Sequence, residues 1–189
     1  MTIQQFIPDF LDILYTADVR RLITLEEVRD AFHTNQILSK EHAVAGFRTL
    51  SPSNTLYVGS WIGFLTYCLK KEFPNIKFSE LDIDHRCATF SKYFSQVPHY
   101  TCDIQYFNML SEFDTVINLS CEHMDNRWFD RIKHGTNVLL QSNNLRIDDH
   151  VNCCDSIDEM KEKYNLTNIT YSHTLELNVM NRYTLAGIK

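Results

Sequence analysis

The sequence predicts an α/β fold: an open, mainly parallel sheet with helices on both faces, a C-terminal antiparallel β-hairpin and an N-terminal helical extension. Three observations carry this. After Pro52, short β-branched or aromatic runs alternate with helical stretches, the texture of βαβ units. The last two runs, Asn168–Leu177 and Arg182–Lys189, have no helix between them, only a short link around Val179–Asn181. They must therefore pair antiparallel, because a parallel pair needs a longer crossover. Before residue 50 the whole pattern is helical, which divides the chain into an extension, 1–50, able to cover a pocket as a lid, and an α/β domain, 51–189.

Taken in order, Ile3, Phe6, Ile7, Phe10, Leu11 and Leu14 recur at helical spacing and predict a helix over 3–14. Thr24 followed by Glu27 is a capping box for a helix through Phe32, and Ser39 is expected to cap another through about Leu50. The parallel strands are expected at Thr55–Val58, Lys77–Asp82, Tyr100–Cys102, Thr115–Leu119 and Asn137–Gln141. Between them, Ile62, Leu65, Leu69 and Phe73 form one helical face, stopped by Pro74, and Cys87, Phe90 and Phe94 form another. A helix over Met124–Lys133 and one capped by Ser156, ending near Tyr164, complete the order of five βα units and a hairpin.

Composition narrows the function. Hydrophobic residues make up 44% and charged residues 22% of 189, which is ordinary for a globular chain and excludes disordered or collagenous classes. Lys plus Arg at 18 against Asp plus Glu at 24 gives a net charge of −6, so nucleic acid is not the expected partner. The longest apolar run, Trp61 to Leu69, falls far short of the roughly 20 residues of a membrane span. The start, MTIQQFIPDFLD, has neither early basic residues nor a small-residue cleavage site, so a cytoplasmic protein is expected, and a homodimer is left open. The six cysteines contain no C-x-x-C pair, and neither a metal site nor a disulfide framework is expected.

In an open α/β sheet, ligands bind beyond the carboxyl ends of the strands where the strand order reverses. The first such turn reads Val58-Gly59-Ser60-Trp61-Ile62-Gly63, with glycines that allow a tight turn and close approach of a ligand. The second strand ends Glu80-Leu81-Asp82-Ile83-Asp84, about 20 residues on, the spacing at which a carboxylate accepts ribose hydroxyls. Asp82 suits that role, whereas Asp84 also reads as a helix cap and Glu80 as a solvated strand residue.

The run VGSWIGFLT, then SELDID, TCDIQYF and FDTVINLS, closed by YTLAGIK, resembles the class I S-adenosylmethionine-dependent methyltransferases, a Rossmann-like family, over residues 52–189. The resemblance implies S-adenosylmethionine as cofactor. It also implies a glycine turn from Gly59 to Gly63 around its methionine part, Asp82 on its ribose and Asp103 near its adenine. The positions so implied for cofactor binding are Gly59, Ser60, Trp61, Gly63, Asp82, Ile83, Asp103, Ile104, Asn118 and Ser120. Tyr57 stands where the family has an acidic residue, and Trp61 where it has a middle glycine. A nicotinamide-dinucleotide fold uses the same logic but needs G-x-G-x-x-G, and this chain has only G-x-x-x-G.

After the fourth strand comes Asn118-Leu119-Ser120-Cys121-Glu122-His123, the densest group of reactive side chains. Glu122 and His123 are the expected catalytic pair, Glu122 preferred as the base that takes a proton from the acceptor. A plain structural reading stands beside this, with Ser120 as a cap for the helix over Met124–Lys133 and Glu122 as a partner of its amino-terminal dipole. Gln141 to Asn144 are expected as a polar loop after the fifth strand, while His85, His99 and His134 show no partner pattern. The expected activity is methyl transfer to a small-molecule acceptor. Transfer of the aminocarboxypropyl arm, as in nicotianamine-synthase-like enzymes, and a non-catalytic binding protein remain the alternatives.

Overall fold

The computed structural model describes residues 2–189, the side chains of residues 17 and 18 excepted. Seven strands form one sheet: β1 (Asn54–Val58), β2 (Lys77–Asp82), β3 (His99–Thr101), β4 (Thr115–Asn118), β5 (Asn137–Asn143), β6 (Asn168–Glu176) and β7 (Asn181–Ile188). Their order is β3-β2-β1-β4-β5-β7-β6, parallel from β3 to β5, with β7 antiparallel to both its neighbours. The chain leaves β1 toward β2 on one side and returns on the other through β4, so the order reverses between β1 and β4 and opens a crevice beyond their carboxyl ends.

The period of two along each strand sorts the core into two halves. Tyr57, Ile117, Leu139 and Ala186 face a cluster shared with α1 (Ile7–Leu14), α2 (Ala17–Arg20), α3 (Leu25–Ala31), α4 (Thr34–Phe47), α5 (Phe64–Glu72) and α6 (Arg86–Tyr93). Leu56, Val58, Val116, Val138, Leu140 and Leu185 face the other side, covered by α7 (Arg127–Asp130), α8 (Ile157–Tyr164) and the 3₁₀ turns after β3. Helices thus cover both faces, as the sequence predicts. The N-terminal helices share the first cluster with the sheet: Phe10 of α1 stacks on Phe94 with ring centroids 3.9 Å apart, and Gly46 brings α4 against Leu139 and Ala186.

Local signals hold where the cap is short-range. Thr24 and Glu27 make the reciprocal capping box of α3, and Ser156 accepts from the Glu159 N–H at the start of α8. Other expectations need correction. The N-terminal segment is a 3₁₀ turn, Ile3–Phe6, running into α1 at Ile7, with Pro8 in the first turn of that helix. Helix α4 begins at Thr34, capped by His33, whose Nδ1 accepts from Asn35 N–H. Ser39 lies inside it, its hydroxyl bonded back to the Asn35 carbonyl at 2.7 Å. No full helix follows β3: the stretch to β4 holds only the turns Ile104–Tyr106 and Leu110–Glu112, whose neighbours Phe107 and Phe113 fill the core directly. The helix expected over Met124–Lys133 narrows to α7. Strand β5 runs on through Ser142 and Asn143, because β7 supplies antiparallel partners Tyr183 and Arg182 there, so these residues are buried in the sheet and not in a loop.

The hairpin tolerates no side chain at Gly187, where a Cβ would lie 2.1 Å from the Asn168 carbonyl oxygen. Gly187→Ala is expected to lower unfolding stability by about 1–3 kcal/mol in urea denaturation, since the strands must part to admit the methyl.

Candidate active site

The turn between β1 and α5 is set by the end of β2. Gly59 N–H donates to the Leu81 carbonyl at 2.8 Å, and Gly63 N–H returns to Ser60 O at 2.9 Å. Within this turn three residues take positive φ: Gly59 at 66°, Trp61 at 47° and Gly63 at 73°. Trp61 thus adopts the left-handed conformation that a glycine would occupy, a strained state for a side-chain-bearing residue. Asp82 holds it there, Oδ2 accepting from Trp61 N–H at 2.8 Å while Oδ1 accepts from Asp84 N–H at 3.0 Å. Each carboxylate oxygen keeps one further lone pair.

Beneath the turn lies Glu80, fully buried and not solvated as the strand pattern suggests. A Cβ on Gly63 would sit 2.9 Å from its Oε1, so the glycine makes room for the carboxyl group. Ser95 Oγ donates to Glu80 Oε2 at 3.0 Å, and burial raises the Glu80 pKa, favouring the neutral acid. His99, for which the sequence shows no partner pattern, packs with Nδ1 4.0 Å from Glu80 Oε2 and neither ring nitrogen hydrogen-bonded, and burial lowers its pKa. Asp84 does cap α6, accepting from Arg86 N–H at 2.9 Å.

Two cavities open beyond the strand ends and share Gly59, Asp82, His123 and Met124 in their walls, forming one cleft. The first, about 650 Å³, is bounded by Tyr57, Ser60, Trp61, Ser120, Glu122 and Arg182, with Lys40, Gln36 and Asp30 on the helical side. The second, about 570 Å³, is bounded by Ile83, Asp103, Ile104 and Gln105. Eight of the ten expected cofactor positions therefore lie on the cleft. Gly63 and Asn118 do not: Gly63 accommodates Glu80, and Asn118 is buried, its Oδ1 accepting from Ser120 N–H and its Nδ2 meeting Met124 Sδ.

The expected catalytic pair splits in character. His123 is exposed and borders both cavities, whereas Glu122 is only 2% exposed and paired. Its Oε1 accepts from Arg182 Nη1 at 3.1 Å and from Asn143 Nδ2 at 2.5 Å. Arg182 also donates to the Leu119 carbonyl at 3.2 Å. Glu122 Oε2 is buried without a hydrogen-bond partner, as is Ser60 Oγ.

Three residues escaped the sequence reading. Arg182 is a lone cation entering an apolar strand, a signal that was there to see. Lys40 reads as an ordinary solvated helix residue, yet it stands in the first cavity wall, exposed only in part and donating to Gln36 Oε1 at 3.2 Å. Burial, helped by the positive charge of Arg182, lowers its pKa to about 8, against an opposing pull from Asp30 and Cys68. His150, in the loop after β5, packs edge-on against His123 with ring centroids 4.5 Å apart.

No family model and no curated sequence matches the chain. Solved structures match its fold. The S-adenosylmethionine-dependent methyltransferase SibL aligns with a TM-score of 0.60 at 12% identity, over 87% of this chain and 59% of that one, so the chain spans about three fifths of that protein. The N-methyltransferase NodS from Bradyrhizobium japonicum aligns with a TM-score of 0.60 at 12% identity, over 84% of this chain and 98% of that one. The 1,6-didemethyltoxoflavin-N1-methyltransferase of Burkholderia thailandensis, solved with 1,6-didemethyltoxoflavin and S-adenosylhomocysteine, reaches 0.63 at 12% identity, over 96% and 89%. The chain has the Rossmann-like fold of class I methyltransferases, which the sequence resemblance implies.

Removing one partner of a buried ion pair leaves the other charged and unpaired, at a cost of about 3–5 kcal/mol. Glu122→Gln and Arg182→Met are each expected to lose stability on that scale in chemical denaturation. The double variant is expected to lose clearly less than their sum, the signature of direct coupling.

Lys40 supplies a pH signature. Its folded pKa lies below the unfolded one, so between about pH 8 and 10.5 the unfolded chain binds more protons and stability rises with pH. Lys40→Met is therefore expected to be more stable than the parent below pH 8. That advantage shrinks as pH rises toward 10.5, as melting curves across the range will read.

Proposed function

We propose that this chain is an S-adenosylmethionine-dependent methyltransferase acting on a small-molecule acceptor. The observation that carries the reading is Asp82: its carboxylate ends β2 at the crevice, orders the glycine turn and borders both cavities. The donor set suits the cofactor. Asp82 retains lone pairs for two ribose hydroxyls, Ile83 and Ile104 offer apolar faces for adenine, and Asp103 accepts from its amino group. Gly59, Ser60 and Trp61 border the methionine part, where the unpartnered Ser60 Oγ gains a polar partner. Gly63 and Asn118 act from behind, shaping the turn and the Ser120 loop.

The cofactor supplies an electrophilic methyl on a sulfonium. The chain would have to hold the acceptor in line with that methyl and, where the acceptor carries a proton, place a base beside it. Glu122 and His123 face the acceptor. The role of base moves from Glu122 to Lys40, because Glu122 Oε1 is engaged by Arg182 and Asn143, whereas Lys40, with its pKa near 8, is neutral in a usable fraction at neutral pH. Lys40 comes from the helical extension, so residues 1–50 serve as a wall, or lid, of the acceptor cavity. A cavity of this size suits a small acceptor. The neighbours NodS and the toxoflavin-type enzyme, named for N-methyl transfer, support this class without naming the acceptor.

Calorimetry with S-adenosylhomocysteine tests the reading, with binding in the micromolar range or tighter expected. Asp82→Ala is expected to weaken it by about 1.5–3 kcal/mol, the scale of a hydrogen bond to a charged group. Trp61→Phe is expected to remove most of the ligand-induced fluorescence change, Trp128 being fully buried away from the cleft. Absence of binding at millimolar ligand refutes the proposal. Formation of methylthioadenosine in place of S-adenosylhomocysteine during turnover would assign aminocarboxypropyl transfer instead.

A further inference from the structure

The turn after β4 and the loop after β5 meet beside the acceptor cavity and bring together two imidazoles and a carboxylate. Glu122 and His123 are neighbours in the turn Cys121–His123, and His150 comes from the loop between β5 and α8. One ligand atom from each lies within 4.8 Å of the others. A first-row divalent ion holds its ligand atoms roughly 3–4 Å apart, so small side-chain rotations close the set.

The surrounding bonds leave the right atoms free. Glu122 Oε1 is taken by Arg182 and Asn143, while Oε2, on a side chain 98% buried, has no donor, and a cation there would satisfy it. His150 Nδ1 lies 2.6 Å from the Leu145 carbonyl, and His123 Nδ1 lies 3.2 Å from the Asp149 carbonyl. A carbonyl oxygen only accepts, so Nδ1 carries the proton in both rings and Nε2 keeps its lone pair. Metal-binding histidines are oriented in this way.

The two loops are also clamped together. Asn152 N–H donates to the Glu122 carbonyl at 3.0 Å, and its side-chain amide donates to the carbonyls of Cys121 at 3.2 Å and Met124 at 3.0 Å. The ligands are thus held near one another before any ion arrives. We propose that Glu122, His123 and His150 form a divalent metal site, departing from the expectation that the chain has none. Two imidazoles and one carboxylate suit Zn²⁺, Fe²⁺ or Mn²⁺. Glu122 and His123 also border the acceptor cavity, so an ion here is within reach of its contents. On the methyltransferase reading, the ion positions acceptors carrying a hydroxyl or carboxylate oxygen.

Tag-free protein, stripped with a chelator and exchanged into buffer, is titrated with Zn²⁺ by calorimetry and with Co²⁺ by visible absorption, without cofactor or acceptor. One equivalent is expected to bind in the micromolar range or tighter, with the absorption band of imidazole-bound Co²⁺. His123→Ala and His150→Ala are each expected to weaken binding by about 10-fold or more. His42→Ala, which removes the separate His42–His173 stack at 3.8 Å, is expected to leave it unchanged. Melting curves establish that each variant is folded, and His150→Gln replaces His150→Ala should the latter unfold. No binding at about 100 μM Co²⁺ overturns the proposal. So does undiminished binding by both the His123 and His150 variants, or loss of binding in the His42 variant. S-adenosylhomocysteine binding measured in chelator is a separate readout: its survival without a metal site removes only this inference.

Discussion

The cleft depends on one buried cation. Arg182, its side chain 9% exposed, is held at the carboxyl edge of the sheet between Glu122 after β4 and Asn143 at the end of β5, its register partner across the β5–β7 ladder. Burying a guanidinium is expensive, and here Nη1 donates to both Glu122 Oε1 and the Leu119 carbonyl while Nε is left without a partner, so Glu122 is the charge that compensates it. The reason a cation reaches this edge is topological. Strand β7 runs antiparallel, and its first residues therefore lie where the parallel strands end. A parallel seventh strand would have placed the same residue at the opposite edge, far from Glu122.

On the other side of the cleft the glycine turn is organised by β2 more than by its own residues. The Asp82 carboxylate bonds the Trp61 N–H, which explains how a tryptophan occupies a left-handed position. Glu80, two residues earlier on the same strand, fills the space that Gly63 leaves open. Asp82 thus orders the turn and lines the cleft at once. Tyr57, in place of the family's acidic residue, remains on the cavity wall, where burial, reinforced by Glu80 and Asp82, keeps it a neutral phenol.

The N-terminal helices complete the site without belonging to the alternating β/α pattern. An aromatic contact set, Phe10 with Phe32, Phe64 and Phe94, fastens α1 to the first crossover helix and to the segment after α6. With α1 and α4 so packed, Lys40 and Gln36 turn toward the cleft and convert an apolar-backed groove into one with a polar wall. The burial that lowers the Lys40 pKa, reinforced by the charge of Arg182, arises once α4 is packed against the sheet.

The alternation of strands and helices, the antiparallel hairpin, the short-range caps at Thr24 and Ser156, and the cleft-facing ends of the first three strands were legible in the sequence alone. Each of these rests on interactions within a few residues, or on a side-chain period readable along one segment. Gly59, Asp82 and Asp103 were legible because strand ends at a reversal of order face the same crevice whatever else the chain does. Ser39 as a cap and Met124–Lys133 as a helix failed for the complementary reason: local propensity was overridden by where α4 packs and by how tightly the turn after β4 is tied to Asn152. Folding alone brings Arg182 against Glu122, sets Lys40 in a cavity wall and stands His150 against His123. These pairs lie far apart in sequence and have no shared period. Their meeting follows from strand order, antiparallel direction and helix packing, and the burial that gives them their chemistry exists only once the chain has folded.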